Sequence, residues 1–211
     1  MATHTVISSF SSSRSNYDVF LSFEGEETEK IFASNLYAFL ERAEIKTFKD
    51  DEHMNRRGEH LSETVKKGIK ESRIAIVIFS RNYASKISCL EELELIMECK
   101  ENLGQKVFPV FLMGVDGSTV RDQKGSFEEP FRLYQECFEG EMVERWRSAL
   151  RKAGGIRGWN LIDVPVPDGD EEKLIEMMVE QVLSALGQRP VEHHHHAKKT
   201  TKKTTKKPLS W

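Results

Sequence analysis

Apolar and polar positions along this chain alternate between two periods, and the alternation predicts strands and helices in turn. Tyr17–Phe23 (YDVFLSF) is aromatic and β-branched enough for a first strand. In Glu29–Ala43, Ile31, Phe32, Leu36, Phe39 and Leu40 recur at helical spacing, with Thr28 as the expected N-cap. Ile45–Phe48 reads as a second strand, and the charged stretch 50–60 as a long exposed loop. Leu61–Ile69 reads as a helix with Val65 and Ile69 inward. Ile74–Phe79 is an unbroken apolar run, as expected of a strand buried on both faces of a parallel sheet. Val107–Met113 is a fourth strand whose Pro109 argues for a sheet edge or a bulge. Turn-rich residues 114–126 lead into helices at Phe127–Phe138 and Met142–Ala153, the latter with Val143, Trp146 and Leu150 inward. Trp159–Ile162 is a last short strand, and Val164–Asp170 a Pro-containing linker. Glu171–Leu186 is an amphipathic helix closed by Gly187, expected to pack on the domain's own surface. Strands alternating with helices at this spacing imply an α/β fold, a parallel sheet with helices on both faces.

The helix after the third strand carries an odd acid. Ser88 and Glu91 read as a capping box, which starts the helix near Cys89. Glu91, Glu94, Glu98 and Glu101 then share one stripe, most simply a solvated face. Glu92 lies off that stripe, among Leu95, Ile96 and Cys99 on the apolar arc. Desolvation there opposes ionisation, whereas the helix dipole favours it. Its plain reading is a first-turn glutamate held by the dipole. Its place after a strand end, where α/β sheets bind ligands, keeps a functional reading open.

The 211 residues suffice for one domain with two tails, and no apolar run approaches the length of a membrane span. Three cysteines, Cys89, Cys99 and Cys137, form neither a disulfide framework nor a metal spacing. Cys99 and Cys137 read as small core residues, and a reducing compartment is expected. The net charge of −3 is unevenly spread: residues 188–211 carry +6, which leaves −9 for residues 1–187. An acidic globular part is a poor nucleic-acid binder. The His/Lys-rich tail 188–211 reads as disordered; its lysines offer at most a weak contact to nucleic acid or anionic lipid, or a nuclear import signal. The Ser/Thr-rich segment 1–16 reads as a disordered tail.

Known enzyme signatures are missing. The loop after the first strand, EGEE, is hostile to phosphate, and the third strand ends in Phe79-Ser80 rather than in a phosphoacceptor aspartate. No P-loop, G-x-G-x-x-G or G-x-S-x-G is present.

Five stretches, in order and at matching spacing, resemble the motifs of plant Toll/interleukin-1 receptor (TIR) domains. They are YDVFLSFEGEET at 17–28, TFKDDEHMNRRGEHLSE at 47–63, SRIAIVIFSRNYASKISCLEEL at 72–93, VFPVF at 107–111 and GWNL at 158–161. The resemblance covers residues 17–162, with 163–187 as linker and C-terminal helix. It implies a flavodoxin-like TIR fold with a five-stranded parallel sheet, plant immune signalling by self-association with other TIR proteins, and a cytoplasmic location with nuclear entry as an alternative. It further implies hydrolysis of NAD, as substrate and not as cofactor, with no metal site. The second acid of Cys89-Leu90-Glu91-Glu92-Leu93 matches the family's catalytic carboxylate, which makes Glu92 the catalytic candidate. Phe23, Glu24, Gly25, Arg57 and Ser88 fall at the mouth of the NAD site, and Ser34-Asn35 at a self-association surface. No ATPase module or leucine-rich repeat follows residue 162, which reads as a TIR-only protein.

The chain departs from the family pattern at several of these positions. Glu24 replaces the usual Arg, which turns attraction for a pyrophosphate into repulsion. Ser88 replaces Trp and cannot stack on a ring. Asn35 replaces a His, and Gly114 and Gly117 suggest a looser loop. A second function class therefore stands beside the first: a non-catalytic TIR adaptor or decoy that binds other TIR proteins.

Overall fold

A computed structural model describes residues 16–25, 27–49, 61–112, 114–161 and 170–188. Residues 1–15 and 189–211 of the two tails, the loop at 50–60 with Arg57 and Gly58, and residues 162–169, which hold Ile162 of the expected last strand and most of the linker, lie outside these residues. Five parallel strands form one sheet: β1 (Tyr17–Ser22), β2 (Thr47–Lys49), β3 (Ser72–Phe79), β4 (Lys106–Phe111) and β5 (Trp159–Asn160), in the order β2-β1-β3-β4-β5. The helices are α1 (Glu27–Arg42), α2 (Glu63–Lys70), α3 (Ile87–Leu103), α4 (Gly117–Asp122), α5 (Glu129–Cys137), α6 (Gly140–Gly154) and α7 (Asp170–Leu186).

Strand periodicity divides the core into two layers. On β3, Ala75, Val77 and Phe79 face the layer built with α2 to α6, where Leu93, Phe131 and Trp146 pack. Ile74, Ile76 and Ile78 face the opposite layer, built with α1 and α7, where Leu36, Met178 and Val182 pack. An apolar side chain at every position is what two-sided burial demands of a central strand.

Several expectations are corrected. Pro109 is not on an edge strand, since β4 pairs with β3 on one side and β5 on the other. The β5 ladder begins only at Val110, however, and the Pro109 carbonyl oxygen points at Gly158, 2.3 Å from where a Cβ on that glycine would stand. N–H and C=O of a residue in a parallel strand point the same way, so the missing donor faces a level where no ladder bond is required. The turn-rich segment contains α4, whose N-cap Asp116 accepts from the Thr119 N–H at 2.6 Å. Nor do its glycines loosen it: Gly114 has φ 79° against the Arg81 guanidinium, and a Cβ on Gly117 would stand 2.8 Å from the Gly154 carbonyl. Thr28 lies within α1 instead of capping it. Ile31 is 62% exposed, and Cys137 is exposed too, unlike buried Cys99. Among the described residues no helix is long and apolar enough to cross a membrane.

Candidate functional site

The strand order reverses between β1 and β3, and in open α/β sheets that crevice, at the carboxyl ends of the strands, is where ligands bind. Ser22 ends β1, Phe23 to Gly25 continue beyond it, and β3 runs through a short 3-10 turn, Tyr83–Ser85, into α3. The topology therefore places Glu24 and the first turns of α3 at the reversal.

The helix starts two residues earlier than the Ser88 capping box predicts. Its N-cap is Lys86, with no side-chain cap bond, and the Glu91 carboxylate accepts from the Leu61 N–H at 2.9 Å. Ser88 is a half-buried residue of the first turn. Glu92 is consequently the sixth helical residue, beyond the first turn where the dipole acts most strongly, so the dipole alone does not account for an acid there.

Glu92 is 0% exposed. The Ser22 hydroxyl donates to its Oε2 at 2.8 Å, and the Tyr83 hydroxyl lies 3.2 Å from Ser22 Oγ while donating to the Cys89 carbonyl at 3.1 Å. Three elements thus fix one carboxylate in place. A buried acid held by a hydrogen bond from a neighbouring element is oriented more tightly than a solvated one. Burial pushes the Tyr83 hydroxyl well above the ordinary tyrosine range, and the neighbouring Cys89 and Glu92 add to the shift, so Tyr83 remains a proton donor.

Glu24, 3% exposed, is in an ion pair with Lys86, whose Nζ is 3.5 Å from Oε1 and whose side chain is 53% exposed. The Cys89 thiol, 3.9 Å from the Phe23 carbonyl, registers both acids. Burial raises it most, then Glu92, then Glu24, with Lys86 and the Ser88 hydroxyl acting the other way, so it stays a thiol at neutral pH.

The structure brings Phe23, Glu24, Gly25, Ser88 and Glu92 to one end of the sheet. Phe23 is buried in the α1/α7 core layer. Arg57 lies outside the described residues. Ser34 and Asn35 are elsewhere, on α1, where Asn35 Nδ2 donates to Glu171 of α7 at 3.2 Å. Sequence reading missed Ser22, Tyr83 and Lys86; a lone polar residue ending an apolar strand was the available signal for Ser22. The acidic stripe is not simply solvated, since Arg145 reaches Glu94 at 2.7 Å and Lys152 reaches Glu101 at 2.6 Å, both from α6. An open groove of about 310 Å³ also lies along α3, lined by Leu61, Lys66, Glu91, Glu94, Leu95 and Glu98. Among the described residues no cluster of side chains could hold a metal ion.

Fold and site together define a five-stranded α/β domain of flavodoxin-like order with a buried, oriented carboxylate where that order reverses. The chain belongs to the TIR domain family, whose model matches residues 16–208. It is 48% identical over 147 residues to disease resistance protein RPV1 of Vitis rotundifolia, covering 70% of this chain and 10% of RPV1. It is 42% identical over 181 residues to TMV resistance protein N of Nicotiana glutinosa, covering 85% of this chain and 15% of N. The TIR domains of the activated Roq1 resistosome, which directly recognizes the pathogen effector XopQ, superpose with TM-score 0.67 at 42% identity over 79% of this chain and 99% of theirs. The chain spans only about a tenth to a sixth of the length of these curated relatives.

Proposed function

We propose that this domain acts in plant immune signalling by associating with other TIR domains and hydrolysing NAD, with Glu92 stabilising the ribosyl centre. Similarity to plant resistance proteins and to the Roq1 resistosome TIR domains supports the signalling role. The observation that carries the chemistry is Glu92 itself, buried at the strand-order reversal and aimed by the 2.8 Å bond from Ser22.

Nicotinamide in NAD is a cation, so when the C1′–N bond breaks its electron pair neutralises the leaving ring and no general acid is needed. Positive charge develops on the ribosyl carbon and ring oxygen, where a fixed carboxylate stabilises it. Water then adds to C1′ and loses a proton to solvent, giving ADP-ribose and nicotinamide. Because Glu92 is 0% exposed, productive contact requires its surroundings to open.

Nicotinamide release from NAD by the concentrated protein is the test, with Glu92→Gln beside it. Release that falls at least a hundredfold in a variant with an unchanged melting profile supports the assignment; equal release sinks it. Buried Glu24, paired with the half-exposed Lys86, favours a second reading, a non-catalytic partner of other TIR proteins, for which association without any nicotinamide release is the expected outcome.

A further inference from the structure

The Tyr83 hydroxyl joins the end of β1 to the first turns of α3. Ser22 gives its single hydrogen to Glu92 Oε2 at 2.8 Å, so its 3.2 Å contact with Tyr83 is a hydrogen bond only when the phenol donates. The Tyr83 hydrogen has two acceptors at nearly equal range, Ser22 Oγ and the Cys89 carbonyl at 3.1 Å. The first bond turns the Ser22 hydroxyl so that its hydrogen points at Glu92, and the second holds the α3 backbone three residues before Glu92. Burial keeps the phenol protonated, as both bonds require. Linked hydroxyls polarise one another, so a donor behind Ser22 strengthens the bond in front of it. The ring contributes separately: it is 0% exposed and packs edge-on against Phe79, with centroids 4.8 Å apart, a contact that loss of the hydroxyl leaves in place.

We infer that Tyr83 is a positioning residue of this site, acting on the Glu92 carboxylate through the Ser22 hydroxyl and not through its own packing. The inference rests on the glycosidic chemistry assigned to Glu92. In that chemistry Tyr83 takes no part in breaking the C1′–N bond; it fixes the direction from which the carboxylate meets the developing charge.

The test is a double-mutant cycle on nicotinamide release from NAD by the full chain: wild type, Tyr83→Phe, Ser22→Ala and both together, with a melting curve for each. Tyr83→Phe is expected to fold and to lower kcat about three- to tenfold, the worth of one neutral hydrogen bond, with KM unchanged. In the Ser22→Ala background the same substitution is expected to change kcat by no more than about twofold, since the hydroxyl it would have steered is gone. A phenol that serves only the Cys89 carbonyl or the packing would cost the same in both backgrounds. That result overturns the inference, as do an unchanged kcat, a loss confined to KM, or a Tyr83→Phe chain that does not fold. Should the wild type release no nicotinamide, the hydrolytic reading falls, and urea midpoints decide the linkage separately. Non-additivity of Tyr83→Phe with Glu92→Gln that disappears in Ser22→Ala upholds it; additivity, or non-additivity that survives Ser22→Ala, overturns it.

Discussion

Ser22 is the residue on which the candidate site turns, because it joins the β1 end to the α3 carboxylate. Replacing it with Ala removes a hydrogen-bond donor from a buried carboxylate, which costs about 1–3 kcal/mol. Ser22→Ala is therefore expected to lower the urea midpoint and to reduce nicotinamide release at least tenfold, with most of the loss in kcat since the nicotinamide cation is still bound. Loss confined to KM would make Ser22 a packing residue. The cysteines give a second expectation at this scale. Cys89 and Cys99 are buried and their thiols are raised, chiefly by burial, whereas Cys137 is exposed. In the native protein iodoacetamide should modify Cys137 first and the other two only on unfolding, as peptide mass mapping would show. Rapid labelling of Cys89 would mean that the crevice opens readily. Of this site, sequence showed Glu92, because one acid off an acidic stripe is visible on a helical wheel. It did not show the Ser22 and Tyr83 contacts, since these join residues 70 and 61 positions apart and leave no local pattern.

Among the elements, α4 and α6 meet at their backbones. A Cβ on Gly154 would stand 2.4 Å from the Arg121 N and 2.6 Å from the Gly117 O. Gly→Ala near a helix end often stabilises by restricting the unfolded chain, but here the sign reverses, and Gly154→Ala should cost about 1–3 kcal/mol or more through forced displacement. Chemical denaturation of the variant checks this, and a gain in stability would contradict the close approach. The cap of α4 gives a pH dependence. Asp116 is lowered from its ordinary 3.8 by hydrogen bonds from the Ser118 hydroxyl and the Thr119 N–H. A carboxyl whose folded value is depressed contributes stability fully above its unfolded value and loses it as pH falls through the folded one. Asp116→Ala should thus cost about 1 kcal/mol at pH 7, and its deficit should shrink below pH 3.8. Helix α4 was hidden in the sequence because six residues between glycines carry no apolar period, and only the Asp116 cap marks its start. The start of α3 was misplaced for a related reason: the Ser88–Glu91 spacing fits a capping box, but Glu91 is taken by a backbone N–H thirty residues away.

At the scale of the molecule, the strand and helix pattern implied a parallel sheet covered on both faces, and the unbroken run at 74–79 marked a strand buried on both sides. The flavodoxin-like five-stranded sheet was implied only by the resemblance to TIR domains, and the order β2-β1-β3-β4-β5 is seen in the structure. What the pattern could not assign is which helix covers which face. The structure sets α1 and α7 together on one layer and the other five helices on the opposite one. The last helix is therefore part of the core: Arg73 and Lys106, at the starts of β3 and β4, donate to the Leu186 and Ala185 carbonyls at 3.0 and 2.6 Å, completing its C-terminal end. Two adjacent methionines on α7 allow a clean test, since they share a residue type and a position in the chain and differ only in the face they occupy. Met178 is 0% exposed and Met177 is 57% exposed. Truncating Met178 removes buried contacts and leaves a cavity, so Met178→Ala should cost about 2–5 kcal/mol. Met177→Ala removes no buried contact, and its effect should stay within about 0.5 kcal/mol. Urea unfolding of both variants reads the difference directly. Equal midpoints would mean that α7 separates from the sheet at little cost, whereas the expected gap makes this helix a structural member of the domain, required for the layer that supports β1 and, through Ser22, the orientation of Glu92.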